Sequence, residues 1–147
     1  MNASTPACSA IGDKEVAVLD TGALIAGLQL RLPMPCFTTP LVVDEVKDEE
    51  SRELLERSIE VGKLRVVDPE RQYLEAASGA ARIAGTLSRL SRADLSVVAL
   101  ALEFAGCRKR VIVASDDYSV QLTCLRAGVE VLPVRYRGVK EARSRRP

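Results

Sequence analysis

The sequence predicts an α/β domain whose five short strands form a mostly parallel sheet covered by helices on both faces. Three observations carry that prediction. Five short apolar runs recur along the chain, the stretches between them read as helical, and Gly or Pro marks many of the joins. The 147 residues suit one such domain with a single core. A composition of 47% hydrophobic and 28% charged residues excludes both a disordered chain and a membrane-embedded one.

The elements follow in order. Residues 1–14 carry Asn, Ser, Pro and Gly without periodicity and read as a flexible leader. Val16 to Asp20 is the first strand and ends in an acid; Thr21-Gly22 then opens a short helix from Ala23 to Leu30. Pro33 and Pro35 break that helix, and Cys36 to Thr39 forms a second strand. Pro40 suits the first turn of a helix carrying Glu45, and another helix runs from about Asp48 to Val61. Leu64 to Asp68 is the third strand, and an Ala-rich helix follows Pro69. Ser91 opens a helix that reaches Phe104, with Gly106 placed to cap it. Val111 to Ser115, the helix from Asp117 to Ala127, and Val129 to Val134 complete a domain over residues 15–134.

In an open parallel sheet, ligands bind beyond the carboxyl ends of the strands where the strand order reverses. Asp20 follows the first strand and Asp117 lies just past the fourth, so both fall on that edge. Asp94 starts a helix whose only other polar residues up to Ala105 are Ser96 and Glu103. A carboxylate at the start of so apolar a helix is costly unless something pairs with it. Glu45 lies one turn into the helix after the second strand, on the same edge. Each acid also has a plainer reading. Asp20, Asp94 and Asp116-Asp117 stand where helix caps stand, and Glu45 belongs to an acidic, solvated stretch. Together they mean more, because close carboxylates repel by roughly 1–4 kcal/mol per pair. Hard divalent cations relieve that repulsion, and oxygen-only ligands select Mg²⁺ or Mn²⁺.

Other chemistries drop out. The chain has no histidine, so no Ser-His-Asp triad, Cys-His pair or imidazole ligand is available. Cys8, Cys36, Cys107 and Cys124 are scattered without close pairs, which argues against a zinc site and against a disulfide framework. They read as small, buried apolar residues. No apolar run approaches the roughly 20 residues that span a bilayer, and the start has neither a basic nor an apolar signal segment. A cytoplasmic protein without membrane contact is therefore expected. Charge is uneven: residues 135–147 hold six basic side chains and one acid, a net of +5, against −4 for the remainder. That segment reads as a basic tail.

The runs Val18 to Leu24, Thr39 to Val46, Ala93 to Leu100 and Ser115 to Asp117 resemble the four motifs of the PIN-domain nucleases, in order and on the expected elements. The resemblance spans about residues 16–134. The finer likeness, through Val42 to Asp48, Ser115 to Gln121 and Gly128 to Lys140, is to the Nob-type endonucleases that finish the 3′ end of small-subunit ribosomal RNA. Nob proteins continue into a zinc ribbon, whose cysteines are not found here. The resemblance implies a PIN-like three-layer α/β/α fold in which Asp20, Glu45, Asp94 and Asp117 are catalytic and ligate one or two Mg²⁺ or Mn²⁺ ions. Asp116 is a further candidate ligand. Thr21 and Ser115 would orient these acids. The implied substrate is RNA, specifically precursor small-subunit rRNA, with the pre-ribosomal small subunit as a partner. Arg89, Arg92, Arg135, Arg137 and Lys140 are the expected phosphate contacts, whereas Lys109 and Arg110 fall at the opposite sheet edge. Two rival readings are a toxin-antitoxin ribonuclease of the same superfamily and a non-catalytic RNA-binding subunit that keeps only the fold.

Overall fold

A computed structural model describes Cys8, residues 15–107 and residues 109–135. Its sheet has the order β3-β2-β1-β4-β5, built from β1 (Glu15–Leu19), β2 (Cys36–Thr38), β3 (Arg65–Val66), β4 (Arg110–Ala114) and β5 (Glu130–Leu132). All four pairings are parallel, so the sheet is wholly rather than mostly parallel. β1 is central, and Val16 to Leu19 are fully buried, which is why this strand is a continuous apolar run. The third strand is shorter than the sequence predicts. Only Arg65 and Val66 pair, and both are exposed, as suits a short edge strand that must not recruit another chain.

The helices are α1 (Thr21–Ile25), α2 (Pro40–Glu45), α3 (Glu49–Glu60), α4 (Arg71–Ala84), α5 (Arg92–Gly106) and α6 (Tyr118–Arg126). They complete the α/β/α layering. α5 is the most buried of them. From Ser96 to Ala101 every residue is buried, and Phe104 meets Phe37 of β2 edge to face at 4.7 Å. Such a pair contributes about 0.5–1.5 kcal/mol beyond its area. Two buried hydroxyl pairs tie helices to one another. Thr39, the N-cap of α2, shares a 2.6 Å hydrogen bond with Ser96 of α5. Thr86 shares another of 2.6 Å with Thr123 of α6. Gly85 lets the chain turn there: its φ of 75° lies in the left-handed region that side chains avoid.

Two expectations need correcting. Gly106 does not cap α5; it belongs to the helix, and Cys107 is the cap. Nor are all four cysteines apolar filling. Cys36 and Cys124 are buried thiols, but Cys8 and Cys107 form a disulfide with Cα atoms 5.5 Å apart. A sequence separation of 99 carries no local motif, so only the folded chain brings the two together. The rest of the predicted leader lies outside the described residues, as does the predicted basic tail beyond Arg135.

Candidate active site

The strand order reverses between β1 and β4, which sit side by side with Leu19 opposite Ala114. Right-handed crossovers then send the following helices to opposite faces and open a crevice beyond these two strand ends. Asp20 follows β1 directly, and Ser115-Asp116-Asp117 follows β4. The Asp20 N–H donates to the Ala114 carbonyl at 3.3 Å, so the two segments leave the sheet together.

Each acid is placed by local physics. Asp20 is the N-cap of α1 and accepts the Ala23 N–H at 2.9 Å. Asp94 closes a capping box with Ser91 at the start of α5. Asp117 is the N-cap of α6, its Oδ1 taking the N–H groups of Ser119 at 2.8 Å and Val120 at 3.1 Å. Glu45 ends α2, and its Oε1 accepts the Thr21 hydroxyl at 2.6 Å. The capping role and the clustering are thus not alternatives. Three helix starts aimed at one crevice deliver three capping acids to it.

The acids sense one another. Burial pushes the Asp20 carboxyl above its ordinary range; hydrogen bonds from Ser115 and Ala23 oppose this, while Asp94 and Asp116 add to it. Burial also raises Asp94, against the Ser91 hydrogen bonds and with help from Asp117 and Glu45. Ser115, fully buried, joins two of the acids: its hydroxyl bonds Asp20 and accepts the Asp117 N–H at 3.0 Å. No cation balances Asp20, Asp94, Glu45 or Asp117 among the ion pairs of the described residues.

Among the described residues, no three Cys, Asp or Glu side chains converge on one point able to hold a metal ion. The reason is visible in the bonds above: each carboxylate turns an oxygen toward a backbone N–H or hydroxyl rather than toward its anionic neighbours. The donor chemistry nonetheless suits a hard divalent cation, being all oxygen, anionic and mutually repelling.

The remaining predicted residues fall as follows. Asp116 lies close enough to add to the upward push on Asp20, and its carboxylate accepts the Arg135 N–H at 2.7 Å, with the Arg135 Nε 3.9 Å distant. Arg89 is exposed at the rim, its Nε donating to Ser119 Oγ at 3.0 Å. Arg92 is exposed in the first turn of α5. Arg137 and Lys140 lie outside the described residues. Arg110 sits at the far edge, bound to Glu15 and Glu130. Cys124, near Asp20, is no nucleophile, since burial pushes its thiol up to about 12.

Sequence reasoning passed over Glu103. It is fully buried on α5, and its Oε1 accepts the Glu70 N–H at the start of α4 at 2.9 Å. Its signal was an acid inside an apolar helix, and its work is to cap a neighbouring helix rather than to serve the crevice.

A family model described as the PIN domain of ribonuclease matches residues 17–104, a span that holds Asp20, Glu45 and Asp94. Ribonuclease VapC3 of Aeropyrum pernix is 49% identical over 138 residues, covering 94% of this chain and 99% of that one. Endoribonuclease Nob1 of Pyrococcus abyssi is 44% identical over 124 residues, covering 84% and 71%. The 20S-pre-rRNA D-site endonuclease NOB1 of Saccharomyces cerevisiae is 37% identical over 67 residues, 46% of this chain and 15% of that one. With the fold, the strand-end acids and these relatives in agreement, the chain belongs to the PIN-domain ribonuclease family.

Proposed function

We propose that this protein is a divalent-metal-dependent endoribonuclease that hydrolyses RNA phosphodiester bonds, acting in 3′-end maturation of small-subunit ribosomal RNA. The observation that supports this chemistry is the run of acids along the switch-point edge, where Asp94 adds to the upward push on Asp20, Asp117 and Glu45 add to that on Asp94, and no ion pair of the described residues balances any of the four. Those four would hold Mg²⁺ or Mn²⁺, which supplies an activated water and neutralises charge developing on the phosphate. The rest is the work of this chain's own groups. Thr21 holds Glu45, Ser91 holds Asp94, and Ser115 fixes Asp20 against Asp117. Arg89 and Arg92 at the rim draw the phosphodiester into an acidic crevice that would otherwise repel it. With no histidine, water and carboxylates carry any proton transfer.

The likeness to the Nob1 endoribonucleases, one named for a pre-rRNA site, supports ribosomal RNA as substrate and the pre-ribosomal small subunit as partner. No helix of the described residues is long and apolar enough to cross a membrane; the site of action in this reading is the cytoplasm. A second reading has an observation of its own: the 49% identity to ribonuclease VapC3 runs over nearly the whole of both chains. On that reading the protein is a toxin-type ribonuclease held by an antitoxin. One experiment separates them. The protein is incubated with Mn²⁺ and either precursor small-subunit rRNA or total cellular RNA, and the cuts are mapped. A single cut at the mature small-subunit 3′ end supports maturation. Cuts confined to other RNAs, with growth arrest on expression, support the toxin. No cleavage with Mn²⁺ or Mg²⁺ leaves an RNA-binding subunit.

A further inference from the structure

Aromatic side chains are scarce here, with three Tyr, two Phe and no Trp. Phe37 and Phe104 are consumed by the core, and Tyr73 packs against it. Among the described residues only Tyr118 exposes an aromatic ring, at 70%. It is the first residue of α6, directly after Asp117. Capping does not require a ring at that position, because the Asp117 carboxylate already takes the first N–H groups of the helix. The next residue, Ser119, is buried and turns its hydroxyl to the Arg89 Nε at 3.0 Å, while Arg89 Nη2 reaches the Gly85 carbonyl at 3.4 Å. Three consecutive residues therefore set an acid of the crevice, an exposed ring and an anchored guanidinium at one rim.

We infer that Tyr118 and Arg89 form a single-nucleotide subsite beside the carboxylate cluster, with an unpaired base stacked on Tyr118 and its phosphate on Arg89. The inference rests on the RNA-cleaving reading and deepens it. Stacking on one ring tolerates every base, because each has a π-face. The guanidinium, held at two points, gives up little side-chain freedom when it meets a phosphate. A base must leave its helix to stack, so the subsite selects single-stranded RNA next to the scissile bond. One ring serves one nucleotide, which leaves any longer sequence preference to other surfaces.

The test uses short single-stranded RNAs carrying 2-aminopurine at successive positions. They are bound to the full chain with the cleavage-blocking Asp20→Asn change. Quenching is expected at one position, lost in Tyr118→Ala and retained in Tyr118→Phe. An abasic residue there should weaken binding about tenfold, the scale of one lost stack. In Tyr118→Ala the same abasic residue should weaken it no further. Arg89→Gln should keep the quenching yet lower the salt slope of binding by about one phosphate contact. Additive losses from the ring and the base would overturn the subsite. So would RNA binding and quenching that both persist unchanged in Tyr118→Ala, the result expected if that ring faces a protein instead. If the chain binds none of these RNAs, the subsite falls together with the reading beneath it; binding without any quenched position sinks the subsite alone.

Discussion

The two edges of the sheet carry similar charges and treat them in opposite ways. At the amino edge, Glu15 and Glu130 flank Arg110, which reaches them at 2.6 and 2.9 Å. The hydrogen bond from Arg110 holds Glu130 below the usual carboxylate range. The Cys8–Cys107 disulfide closes the far end of α5. At the carboxyl edge, Asp20 and Asp94 are pushed upward by burial and by neighbouring acids. One edge answers its acids Glu15 and Glu130 with Arg110. At the other, burial and neighbouring acids disfavour the charged carboxylates, a cost that a bound cation would relieve.

The sharpest way to break this contrast is to substitute Asp20. Asp20→Asn should reduce RNA cleavage at least about 100-fold, since even outer partners of metal ligands cost roughly 10–100-fold. The fold should survive, because Asn serves as well as Asp at an N-cap. Cleavage of a labelled RNA and a circular dichroism melt measure both, and wild-type turnover by the folded variant would remove Asp20 from the chemistry. The matching change at the other edge is Cys8→Ser with Cys107→Ser. It should lower stability by about 2–5 kcal/mol in a denaturant titration and leave cleavage untouched where both forms are folded. A loss of cleavage there would mean that the two edges are not independent.

The main outlines were legible in the sequence for physical reasons. Buried parallel strands announce themselves as apolar runs, and an acid after such a run falls on the carboxyl edge by topology alone. Thr21 and Ser115 came through the resemblance to the PIN-domain nucleases, and their hydroxyls do bond Glu45 and the Asp117 N–H. The pairs that escaped are distant in sequence and close only in the fold: Cys8 with Cys107, Glu103 with the start of α4, Asp116 with Arg135, Arg89 with Ser119. Asp116 and Asp117 are adjacent and look interchangeable, yet the turn after β4 sends one to Arg135 and the other to the α6 cap. Side-chain direction at a turn is set by backbone dihedrals that residue spacing does not encode.

A smaller effect sharpens the role assigned to Thr21. Thr21→Val removes the hydroxyl that holds Glu45 at 2.6 Å and little volume. Cleavage should fall by about tenfold, more steeply at low Mn²⁺, because an unheld ligand binds metal less well. Thr21→Ser should restore most of it. If Val and Thr respond identically across a Mn²⁺ titration, Glu45 is not positioned through this bond.

The gentlest test reads both edges through the pH dependence of stability without metal. Asp20 sits above its ordinary value of 3.8, so in the window between that value and the raised one the native state keeps a proton the unfolded chain has lost. Stability must then fall as pH rises through that window and stay lower beyond it. Asp20→Asn has no proton to lose. It should therefore melt at a higher temperature than wild type near neutral pH, and the two should converge below the unfolded value. Glu130 has the reverse sign, being depressed from its ordinary 4.5. Its contribution is present at neutral pH and disappears as pH falls through the depressed value, so Arg110→Gln should melt slightly lower at neutral pH and match wild type in acid. Melting curves of the three proteins in a chelator, taken across the acid range, decide it. Saturating Mn²⁺ should erase the advantage of Asp20→Asn by stabilising wild type more. Parallel curves for Asp20→Asn and wild type at every pH would mean that burial and the neighbouring acids do not raise the Asp20 carboxyl in the native state.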